Sequence, residues 1–198
     1  MLGRGWPAEL RPFWTANLRA FVRRGCLTGC EFPAAELDRR AAAFAGREPL
    51  LDVTLNTWPD GPPPTAPALC QVTTVVGNTV SPVLRQSLLP NLTTLIVRDP
   101  ADVPAVAEVA GRLRIRRLEV VERSEVYGYD PAAVVRAIAA APGFASLQSI
   151  GLSGLGLGSD DVRRLLASSS LSPSLAVEVV EPVTRIDGQR YFRIEDPS

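Results

Sequence analysis

The sequence predicts an α/β fold, a solenoid of short parallel strands alternating with helices. Three observations predict it. An apolar spacing, L-x-x-L-x-x-L-x-L with any aliphatic residue or Phe allowed, recurs along the chain. Helix start and stop signals fall between the recurrences. The strand closing each recurrence has only roughly three to five residues, so stacked units must bury one another's apolar faces.

The elements follow in order. LRAFVRRGCLTGCEF predicts a helix, a turn at Gly25 and a strand to Phe32. PAAELDRRAAAFAGR predicts a helix with Leu37, Ala41 and Phe44 inward. Leu50, Val53 and Leu55 carry the apolar spacing in REPLLDVTL. NTWPDGPPPTAPA is proline-rich and reads as an exposed loop over residues 56–68, with a proline-reading partner as its other use. Leu69 and Val72 form a weaker copy of the spacing in LCQVTT, read as the end of its frame.

SPVLRQSLLP predicts a helix that starts at Ser81-Pro82 and ends before Pro90. The spacing is full at Leu89, Leu92, Leu95 and Val97, and a helix over Val103–Ala110 follows. Ile115, Leu118 and Val120 carry the next copy. DPAAVVRAIAAAPG has Asp130 as N-cap, Pro131 in the first turn and a Pro142-Gly143 stop. The second full copy is Phe144, Leu147, Ile150 and Leu152. SDDVRRLLASS is a helix capped by Ser159, with Val162, Leu165 and Leu166 on its inner face. Val177 and Val179 make the last copy, and VTRIDGQRYFRI predicts a hairpin turning at Asp187-Gly188. The chain thus divides into an N-terminal helical cap or flank at 1–46, irregular units at 47–182 and a C-terminal hairpin cap at 183–198, in one structural domain.

The first apolar residues of the strands fall at 53, 72, 95, 118, 150 and 177, so the intervals are 19, 23, 23, 32 and 27. Known strand–helix repeats run at roughly 20–29 residues. Doubly wound domains would have longer, more continuously apolar strands.

Composition removes much chemistry. The chain has 198 residues, 46% hydrophobic, with formal net charge zero. Such a balance disfavours a dedicated nucleic-acid or membrane binder. All 21 basic residues are arginine, and there is no histidine. Without histidine or lysine there is no Ser-His-Asp triad, no His metal ligand, no P-loop lysine and no Schiff base. The cysteines are Cys26, Cys30 and Cys70, read as small buried side chains in a reducing compartment. On one strand, Cys26 and Cys30 lie about 13 Å apart, too far to bridge. The start MLGRGWPAELRPFW has no apolar signal core, and no run is long enough to span a membrane. Cytoplasmic location is expected. Glu119, Glu122 and Glu125, beside Tyr127 and Tyr129, are the acids nearest to an acid–base or metal site, but they lack histidine and a cleft.

LQSIGLSGLGLGSDDVRRLLAS has the order strand, glycine-rich turn, helix, which also cradles phosphate in nucleotide-binding folds. The fingerprint G-x-G-x-x-G is not met: from Gly154 the third place is Ser159, and from Gly156 it is Asp161. Two acids at the helix start would repel a pyrophosphate. The glycines read as turn formers, and no cofactor or metal is expected.

The same stretch resembles one unit of the bacterial leucine-rich repeat proteins of the ribonuclease-inhibitor-like kind. Leu147, Ile150, Leu152 and Leu157 take the leucine positions, while Gly158 and Asp160 take the turn before the helix. FVRRGCLTGCEFPAAELDRRAAAFAGREPLLDVTL resembles the flank that precedes the repeats in a group whose chains carry a repeat-companion module; Phe21, Arg23, Arg24 and Gly25 match its arginine-glycine turn. No stretch here matches the companion module itself. The family usually places Asn in the turn after the strand, whereas Leu155 holds that place here.

The resemblance implies a noncatalytic scaffold that binds another protein through the exposed face of its sheet, and no enzyme. Side chains between and beside the leucines would form that face, from Asp52 and Thr54 through Gln71 and Thr73 to Glu178. The candidate partner-binding residues are Thr94, Ile96, Arg98, Arg117, Glu119, Ser149 and Ser153. Arg98, Arg117 and Glu119 serve as anchors, because arginine is enriched where interfaces gain their affinity. Trp6, Phe13, Trp14 and Phe21 are expected to pack the N-terminal cap. Two alternatives use the same residues differently: a nucleotide- or cofactor-binding enzyme built on the 151–158 turn, or a degenerate repeat remnant with a structural role only. Neither nucleic acid nor membrane is expected as a partner.

Overall fold

The computed structural model describes residues 20–23, 26–32, 51–55, 67–86, 89–122, 129–182 and 191–194. They build an α/β architecture around a single open sheet of nine strands whose spatial order is their chain order. The strands are β1 (Ala20–Arg23), β2 (Cys26–Phe32), β3 (Asp52–Leu55), β4 (Thr74–Gly77), β5 (Thr94–Val97), β6 (Arg117–Val121), β7 (Ser149–Ser153), β8 (Ala176–Pro182) and β9 (Tyr191–Ile194). From β2 to β8 every neighbour is parallel, while β1 and β9 join the two ends antiparallel. The sheet takes strands from all three segments anticipated above.

The register is simple and follows from the apolar spacing. Cys30, Val53, Val75, Leu95, Leu118, Ile150 and Val177 stand at one level across seven strands. Phe32, Leu55, Gly77, Val97, Val120, Leu152 and Val179 stand two residues on. A strand turns alternate residues to one face, so these two rows share it. Leu95, Leu118, Val97 and Val120 are fully buried there.

Among the described residues four helices cover that face: α1 (Ser81–Gln86), α2 (Val103–Ala110), α3 (Pro131–Ala140) and α4 (Ser159–Leu166). Val83 and Leu84 of α1, Val106 and Val109 of α2, Val134 and Ile138 of α3 and Leu165 of α4 join the strand residues in one core. Each fully buried aliphatic side chain contributes about 1.5–3 kcal/mol. Consecutive helices touch one another, as consecutive strands do. Leu89 and Leu92, like Phe144 and Leu147, are buried in the turns ahead of β5 and β7.

Side chains tie each turn to the one before. Asn91 Nδ2 donates to the Cys70 carbonyl at 2.7 Å, Ser146 Oγ to Ile115 at 2.9 Å and Ser168 Oγ to Ala139 at 2.6 Å. The strongest tie is a buried carboxylate. Asp102 accepts from Val80 N at 2.7 Å, from Ser81 N at 2.9 Å and from Ser81 Oγ. It caps the start of α1 from the following unit, satisfying donors that α1 cannot satisfy itself.

Several expectations are corrected. Ala20–Arg23 is a strand paired with β2, not a helix. The hydrogen bonds of a sheet edge outweigh a weak helix pattern there. The fourth strand begins at Thr74, so Leu69 and Val72 lead its spacing rather than end it, and Val75 takes the place given to Val72. The intervals become 22 and 20 where 19 and 23 were expected. Gln71 lies in a short 3₁₀ helix, Pro67–Gln71, and Thr73 precedes the strand. Helix α4 is capped by Gly158, one residue before Ser159, and its Leu166 is 46% exposed rather than inward. Cys70 is exposed, not buried. β9 pairs antiparallel with β8, with Tyr191 opposite Pro182. The expected turn at Asp187-Gly188, the helix expected after Phe32, the proline-rich residues 56–66 and the aromatic residues Trp6, Phe13 and Trp14 lie outside the described residues.

Asp130 caps α3 as its sequence position predicts. Its Oδ1 accepts from Ala132 N at 2.9 Å and its Oδ2 from Arg136 at 2.8 Å. The bond to Arg136, aided by the amides of Ala132 and Ala133, holds its carboxyl below the ordinary value of 3.8. The folded state therefore prefers the charged form. Its stabilisation is present above pH 3.8 and is lost as pH falls through the lowered folded value. Asp130→Asn is expected to melt below the parent protein at pH 7, with the gap closing as the pH is lowered beneath 3.8. Thermal melts across that range check it.

Candidate functional site

The face of the sheet opposite the core is built by the residues between the apolar rows. One level holds Asp52, Thr74, Thr94, Arg117, Ser149 and Ala176. The next holds Thr54, Val76, Ile96, Glu119, Gly151 and Glu178. Val121, Ser153 and Val180 form a shorter third level, and Arg98 lies one residue past β5 beside it.

All seven candidate residues fall on this face or its margin, on three adjacent strands. Thr94 and Ile96 come from β5, with Arg98 just beyond it; Arg117 and Glu119 come from β6, Ser149 and Ser153 from β7. Arg117 is exposed and the other six are half-buried. Thr74, Val76, Val121, Ala176 and Val180 also line the face and were not anticipated. A one-frame error hid Thr74 and Val76, and the alternation of β6 and β8 was the signal for the others.

Exposure grades along the face. Asp52, Thr54 and Val76 on β3 and β4 are buried, the residues of β5 to β7 are intermediate apart from exposed Arg117, and Ala176 and Glu178 on β8 are exposed. The accessible surface is therefore the β5–β8 part, and the Asp52–Thr54 end does not belong to it. Thr54 is 1% exposed, and its Oγ1 lacks a hydrogen-bond partner. A buried hydroxyl without a partner costs stability. Thr54→Val is expected to raise stability by about 1 kcal/mol, read as a higher urea midpoint with an unchanged slope.

Arg117 and Glu119 pair with each other. Arg117 Nε donates to Glu119 Oε1 at 2.7 Å. The Glu119 side chain lies across the place where a side chain at Gly151 would stand, since a Cβ there would sit 3.3 Å from Glu119 Cγ. An ion pair this exposed contributes at most about 1 kcal/mol, so both groups remain available to a partner. Past β6, Tyr129 Oη donates to Glu122 Oε2. Among the described residues no group of three or more His, Cys, Asp and Glu is placed to hold a metal. Glu125 and Tyr127 lie outside the described residues.

The glycine-rich turn is fully described. Gly154 and Gly156 have φ of 74° and 66°, a region that side chains disfavour. Leu155 between them is buried. Gly158 N donates to Asp161 Oδ2 at 3.2 Å, so an acid of the helix already occupies a donor that a phosphate would use. Asp160 and Asp161 pair with Arg163 and Arg164. The turn thus has its own structural account in chain reversal and helix capping.

Among the described residues no helix is long and apolar enough to cross a membrane. Comparison with known protein families, curated proteins and solved structures finds no match to this chain.

Proposed function

We propose that this protein is a leucine-rich-repeat-like solenoid and a noncatalytic scaffold for another protein. The solenoid reading is supported by strands that pair in strict chain order and even register, with β4 to β7 each followed by a helix that packs into one shared core. Its ends are capped, in this reading, by the antiparallel strands β1 and β9. The partner reading rests on one observation: the side chains of β5 to β8 form aligned levels of mixed character on the face away from the helices. Small residues (Thr94, Ser149, Gly151, Ser153) leave room beside Ile96 and the Arg117–Glu119 pair. A platform on which an apolar side chain, small residues and a charged pair stand side by side suits a protein surface.

The test is comparative crosslinking and pull-down from source cells with the parent chain and with Arg98→Glu/Arg117→Glu. Partners that bind through the face are expected to drop at least about tenfold with the variant. If every captured partner stays bound, the face is the wrong surface. A thermal-shift screen with ATP and NAD addresses the cofactor reading, because a ligand selective for the folded state raises Tm. No shift is expected.

A further inference from the structure

The two ends of the strands differ in charge. The segments entering β4 to β8 (residues 67–73, 89–93, 111–116, 141–148 and 167–175) contain no Asp or Glu. The acids gather past the other ends: Asp99 and Asp102 after β5, Glu122 and Asp130 after β6, Asp160 and Asp161 after β7. Asp102, Asp130 and Asp161 there bond backbone amides at or near helix starts. Among these acid-free segments, the one entering β6 carries Arg112, Arg114 and Arg116, followed by Arg117 at the start of the strand, all exposed.

Three of these arginines stand apart. Arg85, Arg117, Arg136, Arg163 and Arg164 each meet a carboxylate. Arg112, Arg114 and Arg116 make no ion pair among the described residues. They are also held on firm backbone. Ile115 is fully buried between Arg114 and Arg116, and Leu113 packs on the core. Arg112 N donates to Val109 O, Arg116 N to Thr93 O at 2.8 Å, and Gln148 N to Arg116 O at 2.7 Å. Apolar residues thus anchor the segment while each arginine is left in solvent.

We propose that this edge, centred on Arg112, Arg114 and Arg116, binds an acidic segment of a protein partner. Guanidinium groups pair with carboxylates in bidentate geometry. A pre-fixed backbone lowers the ordering cost of binding. The described segments that enter β4 to β8 hold no acid that would compete for the cations. A nucleic-acid strand fits less well, because the cluster is confined to one turn and the chain has no net positive charge to draw a polyanion from a distance. The proposal stands independently of the open face, since it uses other residues at another margin.

The experiment is fluorescence anisotropy at low salt with two labelled probes, an oligoglutamate peptide and oligothymidylate. The full chain is compared with the triple variant Arg112→Glu/Arg114→Glu/Arg116→Glu and with Arg163→Glu/Arg164→Glu on α4. Saturable oligoglutamate binding is expected, weakened at least about tenfold in the triple variant and by added salt, and little changed in the α4 variant. Absence of binding, or equal binding by the triple variant, overturns the proposal. Tighter binding of oligothymidylate, lost in the same triple variant, also overturns it and assigns the edge to nucleic acid. Far-UV circular dichroism checks the fold, and Arg112→Gln/Arg114→Gln/Arg116→Gln replaces the reversed set if that set does not fold.

Discussion

Gly143→Ala is expected to destabilise the protein by 3 kcal/mol or more, roughly the upper range for overpacking a close contact. A Cβ at Gly143 would stand 2.1 Å from the Gly111 nitrogen, 2.3 Å from the Ala110 carbonyl carbon and 2.7 Å from the Gly111 Cα. All three are backbone atoms, so no side chain can swing aside. Relief requires the end of α2 to move away from the turn that follows α3. Val109 and Ala110 are buried in the core, and Phe144, next in sequence, is fully buried, so that movement also opens the core. Gly111→Ala is the matched control. A Cβ there has nothing within 4 Å and the residue has φ of −60°, so the control is expected to be neutral or slightly stabilising. Urea denaturation of the two variants checks both. Equal midpoints would show that the approach of these two turns is not as tight as described.

Asp102→Ala is the second large effect, expected at about 3 kcal/mol. The substitution leaves the amides of Val80 and Ser81 without their acceptor. Val80 is fully buried and Ser81 is 5% exposed, so water cannot replace the lost partner without local opening. Asp102→Asn supplies the contrast. Its carbonyl oxygen still accepts from the backbone, and its amide donates to Ser81 Oγ, which a carboxylate could only accept from. The Asn variant is expected to lose less than half of what the Ala variant loses. A further readout separates capping from generic packing: amide hydrogen exchange at the start of α1 should accelerate in Asp102→Ala more than exchange in α3.

Much of this architecture was legible because the core repeats as a spacing. Leu92, Leu95 and Val97, or Leu147, Ile150 and Leu152, can face inward together only on a turn followed by a short strand, and each is buried there. The start of α3 was legible for a local reason, as Asp130 and Pro131 act within a single turn. Misreadings arose where two frames fit equally. Val72, Val75 and Val76 are all β-branched, so composition cannot decide which opens the strand; pairing with β3 and β5 decides it. Ala20, Phe21 and Val22 stand between Arg19 and Arg23, a pattern that helix and strand share until a neighbouring strand is present. The role of Asp102 was beyond sequence reasoning, because its partners lie 21 and 22 residues earlier in the chain. For the candidate face, alternation identified which residues share it. It did not reveal that burial would exclude the Asp52–Thr54 end, since burial depends on the whole assembly rather than on the strand.

The strands keep an even register although the chain between them varies greatly in length. Successive levels are 20 residues apart from Val75 to Leu95 but 32 apart from Leu118 to Ile150, and neither pairing slips. Each strand pairs only with its neighbours in sequence, so an interval can lengthen without disturbing the ladder. Such a chain can lengthen one unit at a time during its evolution while the others stay unaltered. The connection between β6 and α3, where the longest interval falls, is then the natural place to graft foreign sequence.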